Sequence, residues 1–276
     1  MIDLHLHSRA SDGALTPTKL VALAAGCSVR TLALTDHDCT DGLAEASKAA
    51  EANGIRFIPG VEISVTWQNR TLHIVGLGIK ADTPVLQEGL AGLQTLRDER
   101  AQEIGRRLAK RGIDDAYAGA RELAGRAEIT RTHFARHLLA RGHAHTFQDA
   151  FKRFLRHGKP GHVQVTWASL EQSINWIHAS GGHAVFAHPL RYGMTRSWLV
   201  RALAAFKEAG GDGMEVICGR SNRDELMNAA HLAVRFGLAG SVGSDFHTPD
   251  NPHLQPGGLP ALPDSVTPIW DRFESR

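Results

Sequence analysis

Residues 2–7 read IDLHLH, and the reading of this short stretch decides the fold. Apolar and polar residues alternate with the period of a half-buried β-strand, and two of the polar positions are histidines. Side chains two apart on a strand share a face, so His5 and His7 can close on a single metal ion. Working outward, residues 17–25 read as a helix capped by Thr16, 31–35 as an apolar strand and 42–52 as a helix. Residues 55–65 and 70–79 then read as strands. Later the alternation resumes with helices at 170–179, 197–209 and 223–236 and strands at 183–186, 213–217 and 239–243. Strands that alternate with helices predict an α/β fold with a mainly parallel sheet.

Between these halves the strand signal vanishes, and residues 84–111, 116–123, 132–140 and 147–155 all read as helices. The chain is therefore expected to divide into a barrel formed by 1–80 and 159–276 and an inserted helical domain at 81–158. Residues 97–157 hold 14 Lys+Arg against 8 Asp+Glu, whereas the whole chain carries a net charge of only +2. A basic insertion beside a mildly acidic remainder suits an anionic substrate, or is simply a solvated helical face. The segment 248–264, rich in Pro and Gly, reads as surface loop.

With 42% hydrophobic residues in a 276-residue chain, disordered and collagen-like classes are excluded and one barrel-sized core is affordable. No apolar run reaches the roughly 18 residues of a membrane span, and Met1 leads straight into the first strand without a signal-like segment. The cytoplasm is the expected compartment, with no membrane and no obligate protein partner. Cys27, Cys39 and Cys218 lack metal-ligand spacing and read as buried thiols.

The polar residues that interrupt the strand patterns fall at strand ends: His5, His7, His37, Glu62, His73, His188, Asp245 and His247, with Asp12 in a Ser-Asp-Gly turn. In a barrel those ends converge on one mouth. So many histidines and carboxylates buried together would be costly without cations, which predicts two or three divalent ions. Mixed nitrogen and oxygen ligands suit zinc, manganese or iron. Asp3, Asp36 and Asp38 either orient ligand histidines or form turns, and His183, at a strand start, reads as structural.

The motifs DLHLH with SDG (residues 3–13), TDHD (35–38), GVEIS (60–64), AHP (187–189) and GSDFH (243–247) together resemble the PHP (polymerase and histidinol phosphatase) family. The resemblance spans residues 1–80 and about 160–250. It implies a distorted seven-stranded, TIM-like (β/α) barrel with a trinuclear metal site that hydrolyses phosphate esters. By position, His5, His7, Glu62 and Asp245 would hold one ion, and Glu62, His73 and His188 a second. Asp12, His37 and His247 would hold the third, where an aspartate in place of the family's frequent histidine favours manganese. Clustered ions activate water for in-line attack on phosphorus, and the chain offers no motif for a covalent nucleophile. His188 and Asp245 are the candidate proton carriers.

A helical insertion containing ITRTHFA (129–135) resembles the TrpH-like branch. That branch implies removal of the 3'-phosphate from nucleoside 3',5'-bisphosphates such as adenosine 3',5'-bisphosphate, and 5'-to-3' trimming of short RNA. If residues 79 and 162 are strand ends, the insertion leaves from the mouth as a lid. Arg131, His133, Lys159, Arg191 and Arg196 are then the candidate substrate-binding residues, and Trp67, Phe134, Tyr192 and Trp198 the candidate base-stacking ones. The competing readings are a histidinol-phosphate-type monophosphatase, an amidohydrolase and a non-catalytic nucleic-acid-binding module.

Overall fold

The computed structural model describes residues 1–251 and 253–273. Seven strands stand side by side in chain order: β1 (Ile2–Asp3), β2 (Thr31–Leu34), β3 (Arg56–Trp67), β4 (Arg70–Leu77), β5 (His183–Phe186), β6 (Gly213–Cys218) and β7 (Ala239–Gly243). The sheet closes on itself where Leu4 N–H donates to Val242 C=O at 3.0 Å, His7 N–H to Phe246 C=O at 3.0 Å and Asp245 N–H to His5 C=O at 2.9 Å. The ladder of β1 ends at Asp3, earlier than the alternation predicts, but the chain continues through a lone parallel bridge between Leu6 and Phe246. Leucines 4 and 6 are fully buried, so the sequence period is honoured even where the ladder lapses.

Pairing is parallel except at β4, which runs antiparallel to both β3 and β5. The cause is local. Gln68 and Asn69 take positive φ of 48° and 61°, the two-residue turn whose twist matches a tight hairpin. Because β4 points backward, residue 79 lies at the amino end of the barrel, and the helical segment does not leave from the mouth as expected.

It climbs instead. Helix α1 (Pro17–Gly26) and helix α2 (Leu43–Ala52) cover the first strands, and helix α3 (Pro84–Ala109) then runs 26 residues, about 39 Å, back toward the mouth. Its first half is a barrel helix, with Leu86, Leu90 and Leu93 in the main core. A Cβ at Gly89 would fall 2.5 Å from the Trp176 ring of helix α7 (Leu170–Ala179), so only glycine permits that contact. Its second half supplies Ala101, Ile104 and Leu108 to a separate core shared with α4 (Ala116–Ala124) and α5 (Arg131–Ala140), centred on the buried Phe134. The change of core thus falls within α3, well past residue 81. Helix α6 (Phe147–Ala150) continues as a π-helical turn over Phe151–Leu155.

Helices α8 (Arg196–Glu208) and α9 (Arg223–Phe236) complete the outer layer, and residues 248–251 and 253–264 form loop as predicted. At the amino end Asp212 joins neighbouring strands: it accepts from the Ala184 amide at 2.9 Å, from His178 at 2.8 Å and from Arg272 at 3.0 Å. Burial alone would raise its carboxyl pKa, but His183, His178 and the Ala184 amide hold it well below the usual range. A depressed carboxylate stabilises above its unfolded pKa of about 4 and loses that contribution as pH falls through the folded value. Asp212→Asn should therefore lower stability by about 1–2 kcal/mol at pH 7 in denaturant melts. Its deficit against the parent should shrink toward pH 2, and an unchanged deficit there would refute the linkage.

Candidate metal centre

Glu62 lies on β3 with 1% of its side chain exposed, and the other ligand candidates face it. Its Oε2 is 3.3 Å from both His5 Nε2 and His7 Nε2 and 2.9 Å from His37 Nδ1. Its Oε1 is 2.9 Å from both His73 Nδ1 and His188 Nε2. Asp245 Oδ1 approaches His7 Nε2 at 3.3 Å, and Asp12 Oδ1 approaches His247 Nε2 at 3.2 Å. All nine candidates from the strand ends and the Ser-Asp-Gly turn therefore gather at one mouth.

They converge as three ligand sets: His5, His7 and Asp245; His37, Glu62 and His73; and His7, Asp12, His37 and His247. The expected groupings shift slightly, since His37 also joins the Glu62 and His73 set and His7 also joins the Asp12 set. His188 keeps its expected neighbours, 3.3 Å from His73 and 2.9 Å from Glu62.

The donors fit cations. His7 Nδ1, Asp12 Oδ1, His37 Nδ1 and Glu62 Oε2 are buried without a hydrogen-bond partner, each a penalty of about 1–3 kcal/mol if left so. His37 Nδ1 and Glu62 Oε2 are only 2.9 Å apart yet misaligned for a hydrogen bond, as lone pairs aimed at a common point are. Burial would raise the Glu62 carboxyl, but His37, His73 and His5 together hold it well below its ordinary range. Burial brings His37 down to about 4 despite Glu62 and Asp12, which leaves a neutral imidazole able to ligate. His247 moves the other way, up to about 9, because the Asp12 and Asp245 carboxylates outweigh its burial. A mixed imidazole and carboxylate set of this density suits transition-metal ions.

The loops bearing these ligands are held by carboxylates. Asp36 accepts from Ser8 N–H and Oγ at 2.7 Å and from Ser11 Oγ at 2.6 Å, which fixes the turn that carries Asp12. Asp38 accepts from Ser64 N–H and from Arg97 Nε, each at 2.6 Å, and Asp3 accepts from the Ser244 and Gly257 amides. Asp3, Asp36 and Asp38 thus brace ligand-bearing backbone rather than ligand rings.

The carboxylate that does orient a ligand ring is Glu215 on β6. Its Oε1 accepts from His5 Nδ1 at 2.7 Å, turning Nε2 toward the cluster, and its Oε2 accepts from the His188 amide at 2.5 Å. That second bond braces His188 at a φ of 30°, a backbone conformation costing about 1–3 kcal/mol for a non-glycine residue. The reading from sequence missed Glu215, although a lone carboxylate in the apolar run GMEVIC was a signal. Next to it a Cβ at Gly243 would lie 2.2 Å from His5 Cβ, so glycine is what lets β7 approach the ligand strand.

The expected substrate-binding residues separate. Arg131 lines the cavity at the cluster together with Arg97 and Arg100. His133 is buried and accepts the Thr130 amide at 3.0 Å as part of a helix cap, not solvated and not among the residues lining that cavity. Lys159 and Arg196 are exposed and absent from the cavity lining, and Arg191 donates to Cys218 C=O at 3.2 Å. Of the aromatic candidates, Phe134 is buried in the second core and Trp67 packs on Trp198, while Tyr192 lines the outer cavity.

The cavity at the cluster, about 150 Å³, shares Thr71, Arg100, Arg131 and Trp167 with an outer cavity of about 680 Å³ that adds Arg70. Arg97 has Asp38 as its counter-ion. Among the described residues, Arg100 and Arg131 have only aromatic contacts, with Trp167 and Phe151, and no carboxylate partner. Burial lowers the pKa of both guanidiniums, helped at Arg100 by Arg131 and Arg97 and at Arg131 by Arg97, with the Asp12 carboxylate opposing the shift at Arg131.

A barrel whose carboxyl end gathers such a ligand cluster beside uncompensated guanidiniums is that of a metal-dependent phosphoesterase. Comparison with known proteins supplies the family: the PHP domain pattern matches residues 3–165, and the chain belongs to the PHP domain family. It is 47% identical to the 3',5'-nucleoside bisphosphate phosphatase of Chromobacterium violaceum, over 100% of this chain and 97% of that protein. It is equally 47% identical to a 5'-3' exoribonuclease of Haemophilus influenzae, over 98% of each. A solved structure from Chromobacterium violaceum, described as an amidohydrolase with bound sulfate and no metal, matches with a TM-score of 0.94 at 47% identity, over 99% of this chain and 95% of that one. Here β4 contributes His73 and contains no lysine.

Glu215→Gln should lower metal affinity about 10–100-fold, as loss of a residue that orients a ligand does. Metal titration of the purified variant with unchanged circular dichroism checks this, and parental affinity would refute the orienting role.

Proposed function

We propose that this chain hydrolyses the 3'-phosphate of nucleoside 3',5'-bisphosphates, adenosine 3',5'-bisphosphate among them, to the 5'-nucleotide and phosphate, and that it trims short RNA from the 5' end by the same bond cleavage. The observation that carries the reading is the pair Arg100 and Arg131, guanidiniums that form no ion pair and line the same cavity as the ligand cluster. One phosphate lies at the cluster and the second on these guanidiniums, which grip it bidentately. A monophosphate would leave them uncompensated. The names of the Chromobacterium violaceum and Haemophilus influenzae relatives support both halves of this reading.

His5, His7, Asp12, His37, Glu62, His73, His188, Asp245 and His247 would hold two or three ions, with manganese the metal we propose and zinc or iron the alternatives. Divalent ions bound there lower the pKa of water and offset the charge that builds on the phosphoryl group. The chain's own residues do the positioning. Arg100 and Arg131 fix the far phosphate, Trp167 stacks beneath Arg97 and Arg100, and Glu215 keeps His5 aimed. For the proton that must reach the departing O3', His188 and Asp245 are the candidates; the Asp245 carboxylate, 31% exposed and held ionised by His5, His7 and His247, can relay a proton from water but has none of its own to give. The helical layer from the second half of α3 to residue 158 covers the mouth and supplies the arginines. No helix of the described residues is long and apolar enough to cross a membrane, and the cytoplasm is the compartment we propose.

The test is phosphate release by manganese-loaded protein from adenosine 3',5'-bisphosphate, AMP, 3'-AMP and histidinol phosphate. The bisphosphate should be preferred, and Arg100→Ala or Arg131→Ala should raise its KM about 10–100-fold, the worth of a charged contact of about 1.5–3 kcal/mol. Turnover of 3'-AMP should change little in those variants. Asp245→Asn and His7→Asn should abolish release while leaving the protein folded. A preference for histidinol phosphate, or parental kinetics in both arginine variants, would overturn the two-phosphate reading.

A further inference from the structure

A third cavity, of about 560 Å³, borders the cluster on its Asp245 and His247 side. His247 and Thr132 line both this cavity and the one bearing the arginines, so the two meet at the ligands. Their chemistry differs. The wall away from the metals carries Leu139 and Phe147, each 40% exposed, with the exposed amide of Gln148 beside them. Its one guanidinium, Arg136, is engaged by Asp12 C=O at 3.0 Å, and Asp245 and Asp250 contribute carboxylates. Such a surface repels a phosphate and suits a nucleobase, which stacks on an aromatic face and hydrogen-bonds to amides.

On the functional reading above, hydrolysis breaks the bond from phosphorus to O3' of the 5'-terminal nucleotide and forms one to a water oxygen. O3' takes up a proton, and in RNA the phosphate stays on O5' of the shortened chain. A reacting phosphodiester therefore has two nucleosides to place. The 5'-terminal one is drawn toward Arg100 and Arg131 by its 5'-phosphate. The other, attached through O5', must leave the cluster by a different route. We propose that the Leu139, Phe147 and Gln148 cavity is the subsite for the nucleoside downstream of the scissile phosphate, with Phe147 as its stacking face. It is a subsite that a mononucleotide bisphosphate does not use and only an RNA strand fills.

The inference rests on the RNA half of the proposed function, and its test separates the two. Manganese-loaded parent, Phe147→Ala and Leu139→Asp are assayed on adenosine 3',5'-bisphosphate and on 5'-phosphorylated tetra-adenylate. Both positions are at the surface, and turnover of the bisphosphate verifies fold and metal loading in each variant. KM for the tetranucleotide should rise about tenfold, the worth of one stacked base, with bisphosphate kinetics within about twofold of the parent. In a His7→Asn background, fluorescence anisotropy of labelled tetra-adenylate should show the same tenfold weakening when Phe147→Ala is added. Parental behaviour on the tetranucleotide would refute the subsite. An equal rise for the bisphosphate would assign the cavity to the base of the reacting nucleotide instead. If the parent hydrolyses the bisphosphate but never shortens the tetranucleotide, the RNA reading falls and takes the subsite with it.

Discussion

The carboxylate of Glu62 sits within 3.3 Å of five imidazoles, at a point the solvent scarcely reaches. A negative charge so placed is tolerable only if positive charge surrounds it, from protonated imidazoles or from bound cations. Much of the mouth follows from this demand. Strands must end on donors, the following loops must turn sharply, and His188 and Asp245 accept positive φ of 30° and 55° to aim their side chains inward. Strain and uncompensated polar atoms accumulate where ions relieve them.

Topology supplies what the ligands cannot. The reversal at Gln68 and Asn69 sends β4 downward, and α3 consequently rises past the whole height of the barrel before it adds anything to the second core. That ascent carries Arg97 to Asp38 and Ser64 and sets Arg100 one helical turn further along, facing Arg131 across the cavity. Had β4 been parallel, the same arginines would have been delivered elsewhere. The clustering of guanidiniums beside the metal ligands is a property of chain reversal as much as of composition.

This separation explains what was legible in the sequence. The metal ligands interrupt strand periodicity at recurrent places, and the helices and strands carry clear patterns and caps, so the barrel and its cluster could be read along the chain. Glu215 hid because β6 is buried on both faces and reads as core. Arg70 and Arg100 hid because their convergence depends on the direction of β4, which no periodicity encodes. Arg191 and Arg196 misled for the opposite reason: they follow the His188 loop closely, but a 3₁₀ turn at Pro189–Arg191 directs Arg191 toward Cys218 and leaves Arg196 in solvent. Proximity in sequence to a ligand is a poor guide once the backbone turns.

The dual allegiance of α3 has a mechanical meaning. One uninterrupted helix belongs to both cores, and the Arg97 and Asp38 ion pair, with both side chains at most 6% exposed, clamps it where they meet. Rotation of the helical layer about such a clamp would break a buried pair and lift a rod wedged against Trp176. The binding groove is therefore built before its ligand arrives. Little ordering entropy is left to lose on association, and discrimination between ligands falls to fixed spacing rather than to closure.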